Sequence, residues 1–255
     1  MKFSNADTVM IIGGSSGMGF ATAKALLELG LNVEILANNA EKLDKAVSEL
    51  SGLGQVSGTQ IDLYDIDAVK ALASKINASS THYGYLVNAA GYFSPLAFVE
   101  HTLADYNKYH DLNKATFLLT QAVVKNMQKA GSGSIVNIGS MWAKQAIKAT
   151  PSSAYSMAKA GLHAFTQHLA MELADDKIRV NAVSPAVVKT PIYGSFIAPE
   201  DIDSTLNSFN AFHPIGRVGE PNDIANSIVF LLSDDASWIT GSILDVDGGV
   251  MAGRN

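Results

Sequence analysis

Cysteine, charge and long apolar runs are all scarce in this sequence. The chain of 255 residues has no cysteine, and only 16% of its residues are Asp, Glu, Lys or Arg. Without cysteine there can be no disulfide framework, no thiol nucleophile and no cysteine-ligated metal. The longest apolar runs, at 9–12 and 228–232, are far shorter than a bilayer-spanning helix, so we expect no membrane partner. The six histidines form neither an HExxH motif nor an i,i+4 pair, and we expect no metal site.

Clusters of basic residues are lacking as well. The 18 Lys and Arg residues stand against 24 Asp and Glu, for a net charge of −6. Nothing in the sequence would neutralise a run of phosphates, so we expect no nucleic acid partner. The N-terminus has one lysine and a short apolar run but no secretory signal, so we expect Met1 to be the native start of a cytoplasmic protein. The length is near the upper limit for one hydrophobic core, and we predict a single domain over 1–255.

Seven short β-type segments alternate with longer helical ones. The predicted strands are 8–12, 32–37, 54–61, 83–88, 133–138, 177–183 and 242–246. Apolar residues recur every three to four positions between them, which is typical of helices, and Gly30 and Pro221 are expected to follow one helix and open another. This order predicts an α/β fold, a doubly wound, mainly parallel seven-stranded sheet with helices on both faces. The turn-rich but partly apolar segment 186–213 is predicted to be a substrate lid.

A glycine-rich loop joins the first predicted strand to the first helix. Its sequence is Gly13-Gly14-Ser15-Ser16-Gly17-Met18-Gly19. Glycines let a backbone come close to a pyrophosphate, and the following helix N-terminus offers N–H groups to the anion. Strand, glycines and helix occur in the order of a Rossmann-type dinucleotide site, although the spacing is GxxxGxG and not GxGxxG.

Tyr155 and Lys159 form a second motif, YxxxK. Residues four apart on a helix lie on one face, so the Lys159 ammonium can stand beside the Tyr155 phenol. A nearby positive charge favours the phenolate, and we therefore expect the pKa of Tyr155 to lie below its usual value of about 10. Tyr155 would then exchange a proton with a substrate oxygen as a general acid or base.

These motifs together resemble the classical short-chain dehydrogenase/reductase family. The family pattern TGxxxGxG matches with Ile12 in place of threonine, and the resemblance continues to ITG at 239–241 and DGG at 247–249. It implies NAD(P)(H)-dependent hydride transfer to or from a carbonyl or alcohol, with ketone reduction favoured. The implied catalytic residues are Asn113, Ser140, Tyr155 and Lys159. Ser140, expected at the end of the fifth strand, would hold the substrate oxygen, and Asn113 would hold a water in a proton relay to Lys159.

The same resemblance implies a set of cofactor contacts. Asp62 matches the residue near the adenine, 88–91 matches NNAG with Ala89 for the second asparagine, and 184–190 matches SPGxxxT with Ala186 for the glycine. The implied contacts are Gly13, Ser15, Ser16, Gly17, Met18, Gly19, Asn38, Asp62, Leu63, Asn88, Ala89, Gly91, Tyr155, Lys159, Pro185, Val188 and Thr190.

The choice between NADP(H) and NAD(H) depends on the end of the second strand. An acid there would bind the ribose 2′-hydroxyl and repel a 2′-phosphate, but the position is Ala37. Asn38, Asn39 and Lys42 follow and could contact a phosphate. The sequence therefore favours NADP(H) and leaves NAD(H) open.

Substrate and assembly are less constrained by the sequence. Ser140 and Tyr155 are fifteen residues apart, slightly more than is common in the family, which predicts an enlarged loop that reshapes the substrate pocket. The resemblance implies substrate contacts at Tyr92, Phe93, Met141, Trp142, Tyr193 and Phe196, although the same side chains could equally form core. It also implies a homotetramer or a homodimer.

Two other functions are compatible with the fold. One is a catalytically silent dinucleotide-binding regulatory protein, and the other is a nucleotide-sugar epimerase or dehydratase. The complete catalytic set argues against the first. The compact C-terminus argues against the second.

Overall fold

Seven parallel strands form one sheet in the computed structural model, which describes residues 1–3 and 8–253. The strands are β1 (Thr8–Ile12), β2 (Asn32–Ala37), β3 (Val56–Gln60), β4 (Tyr83–Asn88), β5 (Gly133–Ile138), β6 (Ile178–Pro185) and β7 (Ile243–Val246). Their order across the sheet is β3-β2-β1-β4-β5-β6-β7. The predicted Rossmann-type fold is confirmed, and the strand order reverses direction between β1 and β4.

Helices cover both faces of this sheet. They are α1 (Gly17–Glu28), α2 (Ala40–Leu50), α3 (Ile66–Ala78), α4 (Leu103–Ala130), α5 (Ser153–Glu172), α6 (Ile202–Ser208) and α7 (Pro221–Leu232). Successive strand residues point to opposite faces, so Val9 and Ile11 pack with α1 and α7, while Met10 and Ile12 pack with α4. Because both faces are buried, β1 is apolar at nearly every position.

Local signals position most element ends. Gly30, at φ +85°, follows the C-terminus of α1, and α7 begins at Pro221, as predicted. The prediction that a strand extends to Ser140 is wrong. β5 ends at Ile138, and Ser140 instead opens a 3-10 turn, where its hydroxyl accepts a hydrogen bond from the Trp142 N–H at 3.3 Å.

The segment 186–213 follows β6 and contains three 3-10 turns and the short helix α6. Among the described helices none is long and apolar enough to cross a bilayer. The parts of the chain that the structure describes also hold no group of three His, Asp or Glu side chains placed to bind a metal ion.

Candidate active site

The loop between β1 and α1 touches the loop after β4. Gly13 has φ +88°, and a Cβ there would lie 2.5 Å from the Ala90 backbone nitrogen. A Cβ on Gly19 would contact the Gly13 carbonyl oxygen. Real Cβ atoms do not come so close to backbone, so both positions require glycine. These two loops form the floor of a groove at the point where the strand order reverses, which is the usual ligand site of such sheets.

The N-terminus of α1 opens into this groove without a side-chain cap. Helices α2, α3 and α4 are capped by Asn39, Asp65 and Thr102. The Ser16 side chain makes no such bond to α1, and the first turn of α1 has no acidic residue. The uncapped N–H groups and the positive end of the helix dipole can therefore bind an anion, so this loop fits a cofactor pyrophosphate.

The groove has a volume of about 350 Å³. It collects most of the predicted cofactor contacts, namely Gly13, Ser15, Ser16, Gly17, Met18, Gly19, Asn38, Asp62, Leu63, Ala89, Gly91, Tyr155, Lys159 and Thr190. Lys42 also lines it, whereas the Asn39 side chain accepts a hydrogen bond from the Lys42 backbone N–H. Tyr64, which the sequence analysis missed, joins the groove because it follows directly after Asp62 and Leu63.

Three predicted cofactor residues lie elsewhere. Pro185 and Val188 line a neighbouring apolar cavity. Asn88 is buried in the sheet, where its Nδ2 donates to Asn137 Oδ1 at 2.7 Å and to Thr120 Oγ1 at 3.0 Å. Asn88 therefore connects β4 to β5 and α4 and does not face the groove.

The predicted catalytic residues meet between the groove and this apolar cavity. Tyr155 and Lys159 share one face of α5, and the Lys159 Nζ lies 5.9 Å from the Tyr155 ring centroid and donates to the Ile138 carbonyl at 2.6 Å. Ser140 and Tyr155 both line the apolar cavity. Asn113, whose Nδ2 donates to the Ala158 carbonyl at 2.8 Å, lines a cavity of about 20 Å³ together with Tyr155 and Lys159.

The apolar cavity has a volume of about 330 Å³. Of the predicted substrate contacts, Trp142, Tyr193 and Phe196 line it, and so does Phe93. Tyr92 lines the cofactor groove instead and packs on Tyr109. Met141 is fully buried and is not part of the cavity wall, because its side chain belongs to the protein interior beneath the 3-10 turn.

Known proteins match the chain over nearly its full length. A family model described as enoyl-(acyl carrier protein) reductase matches residues 13–251. The curated 3alpha-hydroxysteroid dehydrogenase of Mediterraneibacter gnavus is 36% identical, with 94% of each chain covered. The 3-oxoacyl-(acyl-carrier-protein) reductase of Thermotoga maritima is 35% identical, covering 95% of this chain and 96% of the relative. This chain belongs to the short-chain dehydrogenase/reductase family.

A solved structure agrees with that membership. A protein described as a putative NAD(P)-dependent gluconate 5-dehydrogenase from Beutenbergia cavernae, with bound NADP, superposes with a TM-score of 0.90 at 28% identity, covering 98% of this chain and 99% of that one. The predicted activity is thereby confirmed at the level of reaction class. This short-chain dehydrogenase/reductase is an NAD(P)-dependent oxidoreductase that transfers hydride between the nicotinamide and a carbonyl or alcohol.

The two ionisable residues of the predicted catalytic set in this short-chain dehydrogenase/reductase have shifted pKa values. Burial raises the pKa of Tyr155 to about 12, although a hydrogen bond with the Ser140 side chain acts in the opposite direction. Burial lowers the pKa of Lys159 to about 8. The expected lowering of the Tyr155 pKa by Lys159 is therefore wrong for this structure, because desolvation of the phenolate outweighs the hydrogen bond with Ser140.

Behind Ser140 of this short-chain dehydrogenase/reductase lies a histidine that the sequence analysis did not single out. His163 is 8% exposed, and its Nε2 accepts a hydrogen bond from the Ser140 backbone N–H at 3.4 Å. Burial, together with the charges of Lys144 and Lys159, lowers the pKa of His163 to about 4. It is therefore neutral at physiological pH and able to accept that bond. Its spacing, four residues after Lys159, was the available signal, since that places it on the same face of α5.

Proposed function

We propose that the enzyme reduces ketones and that Tyr155 donates the proton to the substrate oxygen. The observation that supports this direction is the high pKa of Tyr155, about 12, which keeps the phenol protonated at neutral pH. A protonated phenol beside the Ser140 hydroxyl gives a carbonyl oxygen two donors at the inner end of the apolar cavity. When bound, the nicotinamide supplies the hydride.

Lys159 and Asn113 support this proton transfer in the proposed mechanism. With a pKa of about 8, Lys159 is mostly a cation at neutral pH, and its charge stabilises the phenolate that Tyr155 becomes after donation. The cavity of about 20 Å³ beside Lys159 and Asn113 exceeds the roughly 10–15 Å³ that one water needs. A water there would return a proton to the site through Lys159.

The preferred cofactor in this proposal is NADP(H). The described lining of the groove has two cations, Lys159 at the catalytic end and Lys42 near Asn38. Ala37 supplies no carboxylate to repel a 2′-phosphate, and Lys42 supplies a positive charge close to it. NAD(H) remains the alternative that titration must exclude.

Residues 186–213 act as the substrate lid in this proposal. Their aromatic and aliphatic side chains form the outer wall of the apolar cavity. The Ser195 hydroxyl attaches the segment to the loop after β4 by donating to the Phe93 carbonyl at 3.2 Å, and an ion pair between the Lys189 Nζ and an Asp203 oxygen, 2.6 Å apart, lies within the segment. Exposed ion pairs contribute little stability, so such contacts can break when a substrate enters.

We also propose a homotetramer, with a homodimer as its smaller unit, in the cytoplasm. Phe117 on α4 and Met157 and Met171 on α5 are large and exposed, and Trp238, beside the edge strand β7, is 98% exposed. Contiguous apolar surface and a free sheet edge are typical of subunit contacts. Sedimentation velocity at two protein concentrations tests this, and a monomer at all concentrations would contradict it.

The function itself is tested by titrating the protein with NADPH and NADH and by following nicotinamide oxidation with a panel of ketones. We expect Tyr155→Phe to lower kcat by a factor of about 10²–10⁴. Tyr106→Phe is the matched control, because Tyr106 lies on α4 outside the groove and the apolar cavity, and it should keep full activity.

Ala37→Asp tests the cofactor preference in the same titration. We expect it to weaken NADPH binding by at least about tenfold and to spare NADH. Tighter binding of NADH by the unmodified enzyme would refute the preference alone. No binding of either cofactor, or an unchanged kcat in Tyr155→Phe, would refute the proposed mechanism.

A further inference from the structure

We propose that this site selects neutral ketones carried on a planar or alicyclic ring and rejects ketones that bear a carboxylate or phosphate. The inference rests on the proposed ketone reduction and names its substrate class. Its basis is the apolar cavity of about 330 Å³, which receives the reacting oxygen at Ser140 and Tyr155.

No charged side chain lines this cavity among the residues that the structure describes. Its wall consists of twenty residues, none of which is Asp, Glu, Lys, Arg or His. A buried carboxylate or phosphate needs an opposite charge or several hydrogen-bond donors, and without them its burial is strongly unfavourable. An anionic substrate would therefore lose its hydration in this cavity and gain no counter-ion.

The cations around the cavity are already engaged. Lys159 donates to the Ile138 carbonyl at 2.6 Å. Lys189 is paired with Asp203 on the outer side of the lid, where its side chain is 49% exposed. Lys144 pairs with Asp245 at 2.7 Å. Lys144 and Lys189 therefore already have carboxylate partners, and none of the three lysines lines the cavity.

Aromatic rings define the shape of the space. The Phe93 ring packs edge-to-face on Tyr155 at 4.8 Å and on Phe196 at 5.5 Å, and it lies 6.2 Å from Trp142. Aromatic side chains have few rotatable bonds, so this wall is rigid and presents flat surfaces. A planar or alicyclic ring beside the carbonyl would contact these faces, whereas a flexible chain would lose entropy on ordering.

Thr150 and Thr205 give the cavity wall some neutral polar character. The hydroxyls of Thr150 and Thr205 both belong to cavity-lining residues, and neither has a hydrogen-bond partner within the described chain. A hydroxyl can donate to or accept from an uncharged ester, ketone or alcohol. Two hydroxyls do not replace the counter-ion that a carboxylate requires.

The test compares two compounds with one ring skeleton. Methyl 4-oxocyclohexanecarboxylate is neutral, and 4-oxocyclohexanecarboxylate carries one negative charge at pH 7. With saturating NADPH we expect kcat/KM for the ester to exceed that for the acid by at least about 100-fold, equivalent to about 2.7 kcal/mol in the transition state. The readout is NADPH absorbance, with product analysis to confirm the alcohol.

The Thr205→Lys variant tests whether the preference for the ester over the acid arises in this cavity. Thr205 lies on α6 and lines the cavity, so its replacement would place an ammonium inside. We expect the ester-to-acid ratio to fall at least about tenfold, through a gain with the acid. Ser204→Lys is the matched control, because Ser204 is exposed on the same helix and is not part of the cavity wall, and it should keep the wild-type ratio.

Each outcome decides the proposal. A wild-type ratio near one, or a preference for the acid, overturns the substrate class and leaves ketone reduction standing. Failure to reduce both compounds while NADPH still binds overturns the substrate class, and the ketone panel with Tyr155→Phe then decides separately whether reduction fails too. An unchanged ratio in a folded, active Thr205→Lys enzyme overturns the assignment of the discrimination to this cavity.

Discussion

Gly139→Ala should lower both the stability and the activity of this enzyme, because the added Cβ atom has no room. A Cβ at Gly139 would contact the His163 Nε2 and lie 2.7 Å from the His163 Cδ2 and 3.1 Å from the Val183 carbonyl oxygen. The ring is buried on α5, and the Gly139 N–H donates to the Val183 carbonyl at 2.8 Å, so neither side can move freely. Overpacking of this kind typically costs about 1–3 kcal/mol of unfolding free energy.

The same displacement reaches Ser140, the serine of the proposed catalytic set. Ser140 is the next residue, and its backbone N–H is bound to the His163 Nε2. Because a misplacement of about 1 Å can cost a factor of about 10² in rate, we expect kcat/KM for a ketone to fall by about 10–100-fold in Gly139→Ala. Gly52→Ala is the control, since nothing lies within 4 Å of a Cβ there, and its stability should change by less than about 0.5 kcal/mol.

A double-mutant cycle isolates the contact between a Cβ at position 139 and the His163 ring. His163→Ala alone opens space and removes the acceptor for the Ser140 N–H, so it should itself destabilise the protein. In the variant that combines Gly139→Ala with His163→Ala, the added methyl group occupies that space. The loss of unfolding free energy in the double variant, measured in urea, should then be smaller than the sum of the losses in the two single variants by at least about 1 kcal/mol. Effects that add to within about 0.5 kcal/mol would refute the contact.

Two further predictions concern partly buried cations. The Arg179 guanidinium donates to the Leu231, Leu232 and Ser233 carbonyls at the C-terminus of α7, so Arg179→Met should lower the urea unfolding free energy by about 2–4 kcal/mol, and a loss below about 0.5 kcal/mol would contradict this. Burial lowers the pKa of Lys159 to about 8 in the folded protein, whereas an unfolded lysine has a pKa of about 10.4. Between these two pH values Lys159 is protonated in the unfolded chain and mostly neutral in the folded protein. The stability of the wild type relative to Lys159→Met should therefore rise with pH across this window, and a pH-independent difference would show that Lys159 is not desolvated.

Local patterns were enough to predict the sheet. The apolar run of β1 and the glycines that follow it depend on near neighbours in sequence, and so does the start of α7 at Pro221. The extent of β6 to Pro185 was underestimated, because its last residues pair with β7, more than fifty residues away. Pairing at that distance has no signature in the strand itself.

The site was predictable by residue identity but less so by side-chain direction. Tyr155 and Lys159 were identified because helical spacing fixes their common face. Met141 and Tyr92 were assigned to the substrate because they follow site residues, yet a 3-10 turn buries the first and the cofactor groove receives the second. The pKa of Tyr155 was expected to fall, since charge proximity is visible in a sequence whereas desolvation depends on the folded surroundings.

In the proposed mechanism, burial determines how Tyr155 and Lys159 function together. Desolvation disfavours every charged form, so it raises the pKa of Tyr155 and lowers that of Lys159 at the same time. At neutral pH these opposite shifts leave a phenol that still holds its proton beside a lysine that is still mostly charged. That is the combination a carbonyl reduction requires, a donor for the oxygen and a cation for the phenolate left behind. Tyr155 lines the uncharged cavity that we propose to favour neutral ketones, so in this proposal the apolar surroundings that raise its pKa also select the substrate.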